Sequence, residues 1–272
     1  MTIEATSIPI AVKEGLNMTR NGGRYVIVGH YTNTGEIIIN PHLEINLKHI
    51  DIRFASIEEC HKLALAIEKV GFDFYINVKP PIGRIGITQF EYRNRNKSGY
   101  FDGVRKATET YNKVTYLSFD PLKRLATILR QNVSSKVQIA YENEGYGYYF
   151  AGLIRHINIA LLHLDFAGLD APDWTIGNIT SQLVWNVYIK APSQGGICKV
   201  YNCQWQPEDE KYKIPGSYGY DSSLVANSEV KHNIPLTGDL VIFNSRNFHE
   251  VLPGIGERIT ISSFIGKMRE EI

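Results

Sequence analysis

The 272-residue sequence predicts a mainly β protein with supporting helices, folded as a double-stranded β-helix of the jelly-roll type. Three observations carry that expectation. Gln182–Ile189, Ile197–Cys203, Asp239–Phe243 and Arg258–Ile265 are short runs separated by connections containing Pro, Gly and Ser, the spacing of antiparallel strands. The last of them, Arg258-Ile-Thr-Ile-Ser-Ser-Phe264, alternates, so Arg258, Thr260 and Ser262 share one face of a strand. Helical periodicity is confined to two clear segments in the first half.

From the amino terminus, residues 24–54 hold strand-like segments at Tyr25–Val28 and Glu44–Leu47, with Asn33-Thr34-Gly35 as a turn between them. Ser56 and Glu59 form a capping box that opens a helix. Its apolar positions Ile57, Leu63, Ala64, Ile67 and Val70 recur at helical spacing, and Gly71 ends it. Asp120 and Pro121 supply a cap and a first-turn proline for a second helix through Leu122, Leu125, Ile128 and Leu129. Between the helices, Lys79–Gly83 and the polar run Tyr92–Gly103 read as loops, the latter long enough to cover a site. Gly152–Leu162 reads as one strand running into a His-x-Asp motif, and Asp239–Phe243 as a strand stopping just short of His249, which places both histidines at strand ends. Gln206–Pro235 has weak periodicity and is a candidate substrate loop. The expected organisation is one domain over 1–272, with 1–145 giving helix and strand support and lid elements and 146–267 the jelly-roll core.

Composition narrows the function classes. Basic and acidic residues nearly cancel, 29 against 28, so nothing recommends a nucleic acid or an acidic membrane surface as partner. The 43% apolar content suffices for a sizeable core. Cys60, Cys198 and Cys203 are odd in number and lack Cys-x-x-Cys spacing, which points away from a disulfide framework or a zinc site and towards reduced thiols. The start Met-Thr-Ile-Glu-Ala has neither the basic residues nor the apolar run of a signal peptide, and no apolar stretch is long enough to span a bilayer. A cytoplasmic enzyme acting on a small molecule is the expectation; oligomeric state is left open.

The chemistry is written in five positions. Residues i and i+2 of a strand point to the same face, so His163 and Asp165 can reach one cation while Leu164 turns away. His249 completes a set of two imidazoles and one carboxylate, which leaves half of an octahedral ion open, as in non-haem Fe(II) oxygenases. Arg258 with Thr260 beside it suits the distal carboxylate of 2-oxoglutarate, because a guanidinium fork makes paired charge-assisted bonds that lysine cannot.

His163-x-Asp165, His249 and Arg258-x-Thr260, in that order, resemble the Fe(II)/2-oxoglutarate-dependent oxygenases. Arg155, Gln182-Leu183 with Trp185, Gly195-Gly196, Tyr201–Trp205 and Gly238-Asp239 extend the similarity over roughly residues 150–266. They point to the small-molecule members: hydroxylases of free or N-substituted amino acids, and carrier-independent aliphatic halogenases. The resemblance implies Fe(II) held by His163, Asp165 and His249, with 2-oxoglutarate as co-substrate gripped by Arg258 and Thr260, and O2 as oxidant. Succinate and carbon dioxide are the implied by-products of hydroxylating an aliphatic C–H in an amino-acid-derived or natural-product substrate. Halogenases of the group carry glycine or alanine where Asp165 stands, so oxygenation is implied here.

Weaker candidates complete the reading. Arg155 shares strand parity with His163 if no bulge intervenes, so it can serve the co-substrate or a structural ion pair. Arg84, Tyr149, Phe166 and Trp205 are candidate substrate contacts, while Trp185 and Tyr148, like the other aromatics, suit either a cavity wall or the core. His30, His42, His49, His61, His156 and His232 have no partner at ligand spacing. Alternatives are desaturation or ring closure with the same cofactors, a cupin-type metal protein that does not use 2-oxoglutarate, or a metal-free sugar-binding jelly roll.

Overall fold

A computed structural model describes residues 2–4, 24–27, 49–76, 78–92, 96–133 and 135–268. Its strands, in chain order, are β1 (Thr2–Glu4), β2 (Arg24–Ile27), β3 (His49–Arg53), β4 (Asp73–Phe74), β5 (Gly83–Ile85), β6 (Tyr141–Glu142), β7 (Gly147–Tyr148), β8 (Leu153–His156) and β9 (Ala160–His163). They continue as β10 (Ile179–Lys190), β11 (Gln194–Gly195), β12 (Cys198–Gln204), β13 (Val230–Asn233), β14 (Asp239–Asn244), β15 (Asn247–Val251), β16 (Gly254–Ile255) and β17 (Ile259–Met268). The longer helices are α1 (Ile57–Val70), α2 (Lys97–Thr115) and α3 (Pro121–Asn132), and α4 (Ala167–Asp170) is a single turn.

Two sheets make the jelly roll. A nine-stranded sheet runs β1-β2-β3-β14-β10-β17-β8-β5-β4, and a four-stranded sheet runs β13-β12-β15-β9. Pairing is antiparallel except where β2 joins β1 and β3. Because side chains alternate along β10, its two faces build two different cores. Val184 and Tyr188 point inward and, with Val241 and Phe243 of β14, meet Ala160, Cys198, Val200 and Val251 of the smaller sheet. Trp185, Val187 and Ile189 point outward onto Cys60, Leu63 and Ile67 of α1 and Tyr111 and Val114 of α2. Burial on both faces is why β10 reads as a nearly continuous apolar run. Each fully buried aliphatic chain here contributes roughly 1.5–3 kcal/mol.

The helices begin where their caps predict. Ser56 accepts from the Glu59 N–H at 3.1 Å and donates its own N–H to the Glu59 carboxylate at 2.9 Å. Arg124 of α3 then grips Glu59 and the Phe54 carbonyl, joining the two helix starts. Ile57 and Val70, expected on the packed face, are exposed, while Cys60 and Ala66 are buried instead.

Other expectations need correction. Gly152–Leu162 is two strands: β8 belongs to the large sheet and β9 to the small one, and the chain crosses between them at 157–159. Ile157 and Asn158 anchor that crossing, since Ile157 N–H donates to Arg258 O and Arg258 N–H donates to the Asn158 side chain. His249 is in the middle of β15 and not at a strand end. Tyr92–Gly103 is mostly helix, because Asn96 caps α2 through the Gly99 N–H. Residues 206–228 form a packed cap over the outer face of the small sheet, where Tyr212, Tyr220, Leu224 and Val225 cover Leu162, Leu164 and Phe248, and Val230–Asn233 join that sheet as β13; Lys213, Tyr218 and Tyr220 also reach the inner cavity, in keeping with the expected substrate loop. Of the first-half strands, Tyr25–Val28 is met by β2, whereas Glu44–Leu47 and the turn at Asn33–Gly35 lie outside the described residues. Among the described residues no helix is long and apolar enough to cross a membrane.

Candidate metal centre

Strands β9 and β15 pair antiparallel with His163 directly opposite His249, which brings the two ring centroids to 4.2 Å. Asp165 follows just after β9 has ended, and its Oδ2 lies 3.5 Å from His249 Nε2. One ligand atom from each of the three residues lies within 4.8 Å of the others, and no second such group of His, Cys, Asp or Glu occurs among the described residues. The imidazoles are oriented by their own strands: His163 Nδ1 sits 2.7 Å from Leu161 O, and His249 Nδ1 sits 2.9 Å from Asn247 O. A carbonyl only accepts, so each Nδ1 carries the proton and each Nε2 keeps its lone pair for a cation.

Electrostatics agree with that use. Burial, with the neighbouring His249, pushes the His163 imidazole down to about 4, so it is neutral at physiological pH. For Asp165, burial acts to raise the carboxyl, but the facing imidazoles of His249 and His163 and the Arg155 guanidinium outweigh it and hold the group well below the usual carboxylate range. An anionic Asp165 and a neutral His163 are the forms a divalent cation requires.

Arg258 lies deeper, between the sheets and 4% exposed. Its guanidinium stacks 5.0 Å from the Tyr188 ring centroid, and Nη2 donates to the Tyr188 hydroxyl at 3.3 Å. Among the described residues no carboxylate pairs with it, and its buried Nε has no partner. A buried charge without a counter-ion is costly, so the site fits an anion brought by a ligand. Thr260 and Ser262 share its face of β17, as the alternation predicts, and both are buried. Arg155 reaches the same interior from β8, opposite Thr260, and donates to Ser262 Oγ from Nε at 3.3 Å and from Nη2 at 2.9 Å. It does so from the opposing sheet, not from a strand shared with His163.

A cavity of about 140 Å3 opens beside the triad, reached by His163, Asp165 and Arg155 and walled by Ile87, Phe90, Phe166 and Phe264. Of the candidate substrate contacts, Phe166 lines it, with the Arg246 guanidinium 4.6 Å from its ring centroid. The other three lie off its wall. Arg84 is paired with Glu91. Tyr149 is buried among Tyr100, Phe101 and Trp174 and donates to Glu142. Trp205 donates to Glu210 beneath the cap. Trp185 faces the helices and Tyr148 is exposed. His61 and His232 are exposed, His156 packs on Phe72, and His30 and His42 lie outside the described residues.

Within the segment 206–235, marked as a substrate loop, sequence reasoning did not single out Tyr218. It lines the cavity, packs edge-on to His163 and accepts the Leu161 N–H at 2.8 Å. The clue was Gly219 between two tyrosines: a Cβ there would sit 2.8 Å from Leu161 Cβ, so only glycine lets the cap lie against β9.

The family model of the carrier-protein-independent halogenase WelO5 matches residues 88–271. The leucinostatins biosynthesis cluster protein S of Purpureocillium lilacinum is 40% identical over 204 residues, covering 71% of this chain and 83% of that protein. The L-gamma-glutamyl-L-propargylglycine hydroxylase of Streptantibioticus cattleyicolor is 31% identical over 121 residues, covering 43% of this chain and 44% of its own. Among solved structures, an N-substituted L-amino acid dioxygenase from Burkholderia ambifaria, in complex with alpha-KG, shares the fold with a TM-score of 0.50 at 13% identity, over 68% of this chain and 77% of that one.

Proposed function

The chain belongs to the carrier-protein-independent halogenase family of Fe(II)/2-oxoglutarate-dependent oxygenases, and from that premise we propose that it hydroxylates an aliphatic C–H bond of a small amino-acid-derived or related natural-product substrate. Asp165 carries the reading. It stands within ligand distance of both histidines, in the place that a halogenating member leaves to glycine or alanine. The names of the two relatives, one a hydroxylase and one from a biosynthetic cluster, support the same direction.

Fe(II), 2-oxoglutarate and O2 together supply the oxidant, giving succinate, carbon dioxide and one oxygen atom for the substrate. The chain's own residues do the rest. His163, His249 and Asp165 would hold the cation through Nε2, Nε2 and a carboxylate oxygen, a donor set of three that would leave positions for further ligands. Arg258, buried with no carboxylate partner among the described residues, takes the distal carboxylate of 2-oxoglutarate, with Thr260 beside it. Arg155, held by Ser262, faces the cavity as a second cation for a carboxylate on co-substrate or substrate. Phe90, Phe166 and Phe264 keep water from the reacting carbon. Residues 1–272 act as one oxygenase domain, since β3 hydrogen-bonds to β14 and β5 to β8.

The test is a product screen of amino-acid-like substrates with Fe(II), 2-oxoglutarate and 18O2, in the presence of chloride. A gain of one labelled oxygen in the product is expected. A chlorinated main product refutes the reading.

A further inference from the structure

Asp165 stands outside both sheets, yet its peptide groups are held as firmly as those of a strand. β9 ends at His163, so the Asp165 N–H and C=O have no ladder partner, and partly buried backbone groups still need one. A closed ring of three residues supplies it. Asp165 N–H donates to Ser245 O at 2.9 Å, and Ser245 N–H donates to Gln182 O at 3.4 Å. Gln182 Nε2 then returns to Asp165 O at 3.0 Å. The other end of the same amide, Oε1, accepts the Ala167 N–H at 2.9 Å, so one side chain spans the peptide groups on either side of Phe166. Only one orientation of the amide meets both partners, nitrogen to carbonyl and oxygen to N–H. Gln182 is 3% exposed and sits on the inward face of β10, where Val184 and Tyr188 further along build the apolar core. A polar residue in that row has to be satisfied, and here it is satisfied entirely by the backbone of the segment that carries Asp165.

We propose that Gln182 is the positioning residue for position 165: it fixes that Cα within reach of the two histidines before a cation arrives, and it does so whatever side chain stands there. The inference rests on the reading of Asp165 as a metal ligand. Two consequences separate it from a purely structural role. Because the clamp grips only backbone, Asp165→Ala leaves the segment in place and removes only the carboxylate. Because Gln182 acts on the metal through the Asp165 carboxylate, its loss matters only while that carboxylate is present.

A double-mutant cycle on the full chain decides. Chelator-treated wild type, Gln182→Met, Asp165→Ala and the double variant are titrated calorimetrically with Co(II), without 2-oxoglutarate or substrate, and their thermal transitions are recorded. Met has similar length but neither donor nor acceptor. Gln182→Met is expected to weaken Co(II) binding about 10- to 100-fold when Asp165 is present, the usual cost of losing a group that orients a metal ligand. In the Asp165→Ala background the same change is expected to cost about twofold or less, a non-additivity that general damage does not produce. Equal weakening in both backgrounds, or none in either, overturns the proposal. If Gln182→Met does not fold, Gln182→Glu carries the comparison, since it keeps the acceptor for Ala167 and loses the donor to Asp165; the same expected and refuting outcomes apply. A wild-type protein that binds no Co(II) overturns the metal-site reading itself. Binding by the wild type with no dependence on Gln182 overturns this proposal alone.

Discussion

Replacing Arg258 with methionine separates its two roles, because the structure assigns the guanidinium a binding task and a cost. It is 4% exposed, its polar contact is one hydroxyl, and its Nε is unpartnered. A charge-assisted bond to a carboxylate contributes about 1–3 kcal/mol, so Arg258→Met should weaken 2-oxoglutarate binding by roughly 5- to 150-fold. Thermal shift makes this visible. With 2-oxoglutarate at 100 times its Kd, the wild type gains about 2.7 kcal/mol of stability. At about 2–4 °C per kcal/mol for a chain near this size, its Tm rises by roughly 5–10 °C. At the same concentration, a variant with 100-fold weaker binding gains only about 0.4 kcal/mol, or roughly 1–2 °C. Without ligand the variant should melt no lower than the wild type, since the substitution removes a buried charge with no counter-ion among the described residues while Tyr188 keeps its bond to Asn233. Titration with 2-oxoglutarate in the presence of an inert divalent metal measures the affinity directly. A Kd within about twofold of wild type refutes the clamp and moves it to Arg155, the other guanidinium on the interior face.

Three further outcomes follow from the same geometry. His163→Ala or His249→Ala should abolish metal-dependent turnover and Fe(II) binding by calorimetry, and full activity in chelator-treated wild type would contradict the site. Asp165→Gly should lose most hydroxylation while retaining its thermal transition, because Gln182 and Ser245 hold the segment by its backbone; a collapsed fold in this variant contradicts that account. The metal-free protein should lose stability as pH falls from about 6.5 towards 4. An unfolded chain protonates its histidine near 6.5, whereas His163 in the fold is held at about 4, so acid favours the unfolded state across that window; Asp165, also held low, adds below about 4. Metal-free His163→Gln should show a shallower decline in Tm over the same range, and identical slopes would refute the assignment.

How legible the molecule was in its sequence depended on whether local pattern and tertiary packing agreed. The alternation of Arg258, Thr260 and Ser262 survives intact, because β17 is paired on both sides and its two faces meet different chemistry. The caps at Ser56 and Asp120 mark their helices for a similar reason: the bonds they make span three residues and need no distant partner. Helix α2 was invisible because its buried positions are Tyr100, Ala107, Tyr111 and Val114 among lysines and threonines, with Gly99 and Gly103 in the opening turns. Those residues lower helix propensity, and what holds the segment is packing of the tyrosines against Trp174, Tyr149 and Phe150.

The site shows the same division more sharply. His163, Asp165 and His249 could be chosen from residue type and order, but the argument that joined Arg155 to His163 along one strand was mistaken in its premise. The chain between them changes sheets at 157–159, and the two side chains converge because both sheets turn their inner faces to one cavity. Periodicity describes one element at a time and is silent about such a crossing. For the same reason it ranked Tyr149 and Trp205 with Phe166, although Phe166 alone of the three follows a metal-binding position closely enough to be carried into the cavity by it. Gln182, Ser245 and Tyr218 come from three distant segments; the first two hold Asp165 by its backbone groups, which any residue possesses, and Tyr218 takes the Leu161 N–H and packs on the His163 ring. The sequence can name the atoms that touch a cation; the groups that aim those atoms are defined by where the backbone passes, and only the fold contains that information.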